Sequence, residues 1–307
     1  MKAIQYNAFG GSEVINFVEV PAPEIKNEND VLIQVKAASV NPLDIKIRMG
    51  YMQKMRPVQL PFTPGLDAAG IITAIGTNVT QCKVGDEVIA ATMGNAYAEY
   101  VIANENFVSL KPKNISFEEA TSLAVNIGTA QTILFTEGKL EKGQKVLIQG
   151  AAGSVGATML QLAKNKGLYV IATASGKGVE LVKSLGANEV IDYKTQEVTK
   201  LVKDVDLVAD CAGGESQAKL FVVLKSGGKL LSIAGLPSAE LAEKYNVDAR
   251  FISSNLSAKR LEYGLTLVSE GKLKPFVTKT FKLQEAAQAQ DFVSAGGVNG
   301  KVVLVVG

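Results

Sequence analysis

Lys145-Val146-Leu147-Ile148-Gln149-Gly150-Ala151-Ala152-Gly153-Ser154-Val155-Gly156 passes from a short apolar run into a glycine-rich turn. An apolar run that meets G-x-x-G-x-x-G and then opens a helical pattern is a buried strand feeding a helix through a tight turn. In such a turn Gly150 permits the exit from the strand. Gly153 lets a pyrophosphate approach the backbone, where helix N-terminal amides and the helix dipole favour negative charge. Gly156 allows the helix to lie close to the sheet. The expectation is a dinucleotide held along Gly150, Ala151, Gly153, Ser154, Val155 and Gly156. A plain turn without ligand and an S-adenosylmethionine site are the competing readings of the same architecture.

Downstream, Leu168–Ala174 reads as the next strand, and its end, Thr173-Ala174-Ser175-Gly176-Lys177, carries no acid. A site for NAD places Asp or Glu here to grip the ribose 2′-hydroxyl. A small hydroxyl and a cation suit a 2′-phosphate instead, because a carboxylate would repel it. NADP is therefore the expected cofactor, with Ser175, Lys177 and Tyr193 around its 2′-phosphate. The bland alternative is that Lys177 is a solvated helix-start lysine. A helix with Val179, Val182 and Leu185 on one face follows and ends at Gly186, where a left-handed cap is easy. Glu189–Asp192, Asp206–Asp210 and Lys229–Gly235 are further strands. Strands alternating with helices give parallel βαβ units covered on both faces, and ligands then lie at the carboxyl ends of the strands. That puts Ala212-Gly213 and Ala234-Gly235 along the cofactor.

Upstream the rhythm differs. Short runs such as Val31–Ala37 and Ala68–Ile75 are separated by turns at Pro21, Pro42, Pro64, Gly65, Gly76 and Gly85, which suggests a compact β-barrel-like domain. Lys301–Val306 is a strand again. The boundaries expected are 1–125, 126–255 and 256–307. A chain of 307 residues accommodates two domains. Basic residues number 32 against 30 acids with no basic run, so nucleic acid is not an expected partner. The uncharged stretch Val146–Ala163 is broken by glycines and polar residues and reads as strand, turn and helix, not as a membrane span. The opening Met1-Lys2-Ala3-Ile4-Gln5-Tyr6 lacks the apolar core of a signal peptide, and two cysteines far apart suit a reduced, cytoplasmic setting. Histidine is absent.

The whole chain resembles the medium-chain dehydrogenase/reductase superfamily, in its zinc-free quinone oxidoreductase branch. The similarity runs in order through Ser39-Val40-Asn41-Pro42-Leu43-Asp44, Pro64-Gly65-Leu66-Asp67-Ala68-Ala69-Gly70, Lys83-Val84-Gly85-Asp86-Glu87-Val88 and Gly94-Asn95-Ala96-Tyr97-Ala98-Glu99-Tyr100. It continues through Gly128-Thr129-Ala130, Val146–Gly156, Leu185-Gly186-Ala187 and Gly300-Lys301-Val302-Val303-Leu304. The resemblance implies an α/β fold: a GroES-like β-barrel catalytic domain plus a Rossmann doubly wound parallel sheet. It also implies a homodimer. Zinc-dependent relatives have a cysteine where this chain has Asn41, and Gly-His-Glu where it has Gly65-Leu66-Asp67. With no histidine and two distant cysteines, a three-ligand nitrogen and sulfur zinc site cannot be assembled, so no metal is expected.

Without zinc as Lewis acid, substrates must carry their own negative charge after hydride addition. Quinones and α,β-unsaturated carbonyls do so as a hydroquinone anion or an enolate, which a few donors can stabilise. The resemblance places Asn41 near the nicotinamide end and Tyr51 facing the substrate; Asn41 is equally an Asn-Pro turn residue. It places Thr129, just before a helical stretch, near the cofactor, with Asn299 and Lys301 also in reach. Asp44 and Asp67 read as turn-capping aspartates rather than an acid/base pair. Cys211 ends a strand with no neighbouring base to activate it. The leading expectation is an NADPH-dependent quinone or enone reductase. The alternative is a noncatalytic NADPH-binding redox sensor or structural protein.

Overall fold

The computed structural model describes residues 1–254 and 256–307. These divide into two compact units, Met1–Val125 with Leu256–Ser269 and Pro275–Gly307, and Asn126–Asn255 with Glu270–Lys274. Strands β1 (Lys2–Gln5), β2 (Asn16–Glu19), β3 (Asp30–Val40), β4 (Asp67–Ile75), β5 (Glu87–Ala91), β6 (Tyr100–Asn104) and β7 (Val108–Leu110) lie in the first unit. Strands β8 (Lys145–Gln149), β9 (Tyr169–Ala174), β10 (Glu189–Asp192), β11 (Val205–Asp210), β12 (Leu224–Ser232) and β13 (Asp248–Phe251) lie in the second. Strands β14 (Val277–Lys282) and β15 (Lys301–Val305) return to the first. The α-helices, in chain order, are α1 (Pro42–Arg48), α2 (Phe117–Thr121), α3 (Ala124–Gln131), α4 (Ser154–Asn165), α5 (Lys177–Ser184), α6 (Val198–Leu201), α7 (Glu215–Lys219), α8 (Ala239–Tyr245), α9 (Ala258–Ser269) and α10 (Ala286–Ser294).

In the second unit the sheet order is β10-β9-β8-β11-β12-β13, and every pair is parallel. The chain winds from β8 outward to β10, then returns to start β11 on the other side of β8. This is the doubly wound Rossmann arrangement, and its switch point lies between β8 and β11, where Gln149 and Asp210 are register partners. Val146–Gln149 are all buried, as a strand covered on both faces must be. The turn expected from sequence is present: Gly150 has φ +74°, and a Cβ on Gly156 would lie 2.3 Å from the Gly150 carbonyl oxygen. Only glycine at 156 lets the first turn of α4 close onto the strand end. The uncharged Val146–Ala163 stretch is thus β8, the turn and most of α4. Among the described residues no helix is long and apolar enough to cross a membrane.

In the first unit β3 is the centre of a seven-stranded sheet of order β14-β15-β3-β4-β5-β7, with β6 paired on β3. Its pairs are antiparallel except β14 with β15. Ile4, Val31, Ile33, Val35, Ile72, Val88, Tyr97, Val101 and Leu304 fill its core. The antiparallel sheet brings Ser39 in β3 and Asn41 just after it beside Asp67 at the head of β4 and Lys301 at the head of β15. Asp67 therefore departs from its expected place in a turn: it is a strand residue. Asp44 does cap, accepting the Asn41 amide N–H at 2.8 Å at the start of α1.

Candidate active site

At the carboxyl ends of β11 and β12 one buried carboxylate organises two loops. Asp210 Oδ1 accepts the amide N–H of Ala212 at 3.0 Å and of Gly213 at 2.8 Å. Its Oδ2 accepts Gln217 Nε2 and Ser232 Oγ, both at 2.7 Å. Ser232 Oγ in turn accepts the amides of Ala234 at 3.1 Å and Gly235 at 3.2 Å, and Gln217 Nε2 also reaches the Gly235 carbonyl at 3.2 Å. Both strand-end dipeptides expected along a cofactor are thus fixed by the same side chain. No local pattern announces this, because Asp210 stands in an apolar run and reads as the last residue of a strand.

The neighbouring strand ends carry further expected cofactor residues. The Ala151 amide donates to the Thr173 carbonyl at 3.1 Å, pinning the glycine turn to β9. The first intrahelical bond of α4 runs from Ala157 to Gly153, so the amides of Ser154, Val155 and Gly156 have no carbonyl in a preceding turn to bond. Ser175 Oγ and the Tyr193 hydroxyl, expected on either side of a 2′-phosphate, meet at 2.8 Å. Lys177 opens α5 and is exposed. Thr129 lies inside α3 rather than before a helix, 2% exposed, with its Oγ1 2.5 Å from Ser254 Oγ. Cys211 is desolvated beside Asp210, and its thiol is pushed up to about 12, which keeps it protonated and inert.

A second polar cluster is buried in the other unit. Lys301 Nζ donates to Asn41 Oδ1 at 2.6 Å and stands 3.9 Å from Asp67 Oδ2. Asn41 Nδ2 donates to Asp67 Oδ2 at 2.9 Å and to Ser39 Oγ at 3.3 Å, while Ser39 Oγ donates to Asp67 Oδ2 at 2.5 Å. The Val125 amide takes the other Asp67 oxygen at 2.9 Å. Asn41 is 4% exposed, Lys301 3% and Asp67 fully enclosed. Burial lowers the Lys301 pKa, against the pull of Asp67 and Asp44. Two expected site residues 260 positions apart, Asn41 and Lys301, are therefore in direct contact. Both donors of the Asn41 amide are engaged inside the unit, which leaves it acceptor capacity on Oδ1 only.

Asp44 sits in the same cluster, taking the Gly65 amide at 3.2 Å and the Tyr97 hydroxyl at 3.2 Å besides Asn41. Burial raises its pKa to about 6, opposed by its hydrogen bond from Asn41. Burial and Asp44 likewise raise Tyr97 well above the usual phenol value. Tyr51, by contrast, is 70% exposed just after α1. The Asn299 carbonyl accepts a hydrogen bond from Thr278 Oγ1. Among the described residues no group of three or more His, Cys, Asp and Glu side chains is placed to hold a metal ion.

Known proteins agree with this architecture. The family model of the alcohol dehydrogenase GroES-like domain matches residues 27–113, and that of the zinc-binding dehydrogenases matches residues 185–304. The chain is 32% identical to a chloroplastic quinone-oxidoreductase homolog of Spinacia oleracea, over 99% of this chain and 98% of that protein. It is 35% identical to a chloroplastic NADPH-dependent alkenal/one oxidoreductase of Arabidopsis thaliana, over 99% of this chain and 79% of that protein. The quinone oxidoreductase structure from Coxiella burnetii superposes with a TM-score of 0.90 at 33% identity, covering 100% of this chain and 99% of that one. Relatives aligned along nearly the whole length make this chain an oxidoreductase enzyme belonging to the quinone oxidoreductase branch of the medium-chain dehydrogenase/reductase superfamily.

Proposed function

We propose that this oxidoreductase takes its hydride from NADPH, works without zinc, and reduces quinones or α,β-unsaturated carbonyls. The observation that carries the reading is the Lys301 ammonium 2.6 Å from Asn41, the residue that by resemblance stands where zinc-dependent relatives have a cysteine ligand. A fixed cation buried against Asn41 and Asp67 competes with a metal for the same acceptors. The donor inventory agrees, since the sequence holds no histidine.

NADPH fits the strand ends. A Cβ on Gly153 would meet only the Gly150 carbonyl oxygen, at 3.3 Å, so the protein leaves the helix N-terminus open where a pyrophosphate would bind. Gly150, Ala151, Gly153, Ser154, Val155 and Gly156 would hold the pyrophosphate. Ser175, Lys177 and Tyr193 would hold the 2′-phosphate, and Thr129, Ala212, Gly213, Ala234 and Gly235 would line the remainder. Bound NADPH supplies the hydride. The protein then needs only to orient the acceptor and supply a proton, because a quinone or enone delocalises the charge it gains. Asn41 Oδ1, polarised by Lys301, is set to accept a hydroxyl or amide donor. The exposed Tyr51 hydroxyl or solvent supplies the proton. Asn299, its carbonyl bonded to Thr278, would also reach the cofactor. The names of the relatives, a quinone-oxidoreductase homolog and an NADPH-dependent alkenal/one oxidoreductase, support the same acceptor classes.

Following NADPH absorbance with panels of quinones, enones and simple alcohols tests the reading. Turnover is expected with the first two panels, undiminished by a chelator. NADPH binding without turnover of any acceptor would favour the noncatalytic alternative, and alcohol turnover on adding zinc would refute the metal argument. Lys177→Glu should weaken NADPH roughly five- to tenfold, as reversal of one exposed charge near a phosphate does, with little effect on NADH. Equal effects on both would reject the 2′-phosphate assignment. The homodimer implied by the resemblance predicts twice the chain mass by light scattering.

A further inference from the structure

We propose that Gln149 is a direct ligand of the dinucleotide, its Oε1 accepting a hydrogen bond from a donor on the nicotinamide half. The proposal rests on the dinucleotide reading above and adds to it a residue outside the glycine turn. Gln149 is the last residue of β8, 7% exposed, and paired in register with Asp210 across the switch point of the sheet. Its Nε2 donates to Ser216 Oγ at 2.6 Å, so the side chain reaches from β8 toward the start of α7. Among the described residues, its Oε1 is the one buried side-chain atom of the parallel-sheet unit without a hydrogen-bond partner.

The orientation of the amide follows from proton direction. Ser216 Oγ has one proton, and it goes to the Gly213 carbonyl at 2.9 Å. Toward Gln149, Ser216 can then only accept, so the amide nitrogen must face it and the oxygen must face away. A buried acceptor held in that orientation by its neighbours carries a desolvation penalty that a donor removes. Open α/β sheets bind ligands in the crevice at the switch point, and Gln149 closes one of the two strands that border it. The chemistry of the atom selects the partner. Phosphates offer no donor to an acceptor, so the pyrophosphate is ruled out. The donors near the switch point are the nicotinamide-side ribose hydroxyls and the carboxamide N–H, since the adenosine half is expected over β9 and β10.

Calorimetric titration of the wild type and Gln149→Met with three probes tests this: NADP+, its acetylpyridine analogue, which has no carboxamide N–H, and adenosine 2′,5′-bisphosphate. Gln149→Met is expected to lose roughly tenfold for NADP+ and nothing for the bisphosphate, as the loss of one hydrogen bond predicts. A carboxamide donor shows as a wild-type preference for NADP+ over the analogue that the variant erases. A ribose donor shows as equal losses for both dinucleotides. Unchanged NADP+ affinity, the result if water alone meets Oε1, overturns the proposal, and so does an equal loss for the bisphosphate. Should Gln149→Met not fold, Ser216→Ala frees the amide to turn and should give a smaller loss of the same pattern. A loss shared with the bisphosphate would overturn the proposal there too. A wild type that binds none of the three probes rejects the dinucleotide reading itself.

Discussion

Asp67 and Asp210 are both fully enclosed, one in each unit, yet their charges are met by different means. Asp67 has a formal cation, Lys301, at 3.9 Å, together with Ser39, Asn41 and the Val125 amide. Asp210 is met instead by two amides, a carboxamide and a hydroxyl, which supply the positive ends of four dipoles. The first solution ties together distant parts of the chain and consumes the polar groups it recruits. The second is local, its longest reach being 22 residues, and it fixes backbone that stays available to a ligand. An ion pair holds a place; a shell of dipoles shapes a surface.

The largest effect expected from this contrast is at Lys301. Lys301→Met leaves a buried carboxylate without its cation and should cost about 3–5 kcal/mol in denaturant unfolding. Adding Asp67→Asn should recover most of the loss, as removing both charges of a buried pair is often near neutral. A double variant as unstable as the single would mean that packing of the lysine stem, not charge, is what matters.

At Asp210 the loss should be smaller but should also reach function. Asp210→Ala removes four charge-assisted hydrogen bonds whose local donors can partly relax into water, so about 2–3 kcal/mol is expected. NADPH affinity should fall at least tenfold because the 212–213 and 234–235 loops lose their common anchor. Stability lost without affinity lost would reduce the network to a structural one.

The smallest effect is a pH dependence at Asp44. Burial raises its folded pKa from an ordinary 3.8 to about 6. Between those values the folded chain holds a proton that the unfolded chain has released, so this contribution to stability is full below about 3.8 and lost as pH rises through 6. Melting temperatures of wild type and Asp44→Asn, compared at the two ends of that range, should show the wild type losing ground toward neutral pH. A wild type that gains ground would mean that the Asn41, Gly65 and Tyr97 donors outweigh desolvation.

How much of this was legible in the sequence follows from range. The strand, turn and helix at 145–165 are local patterns, and the left-handed glycines at 150 and 186 are local demands. The Ser175 and Tyr193 contact is 18 residues long and follows from adjacent parallel strands. The bond between Lys301 and Asn41 is invisible to any window, as nothing about either residue announces a partner 260 positions away. Asp67 reads as a turn residue because an aspartate after Pro64-Gly65 has the composition of a turn, whereas pairing with Ala91 of β5 extends the strand back to it. Asp210 and Gln149 are silent in the sequence for a different reason. A polar residue closing an apolar strand has no periodicity to betray it, and only the loops that follow give it work.

The ammonium beside Asn41 has one further consequence. A metal ion occupies its site by mass action, so its presence varies with free concentration, chelators and rival ions. Lys301 is covalently part of the chain and is delivered by folding at an effective occupancy of one per molecule. The cation in this cluster is not displaced by chelators or exchanged for a rival metal ion.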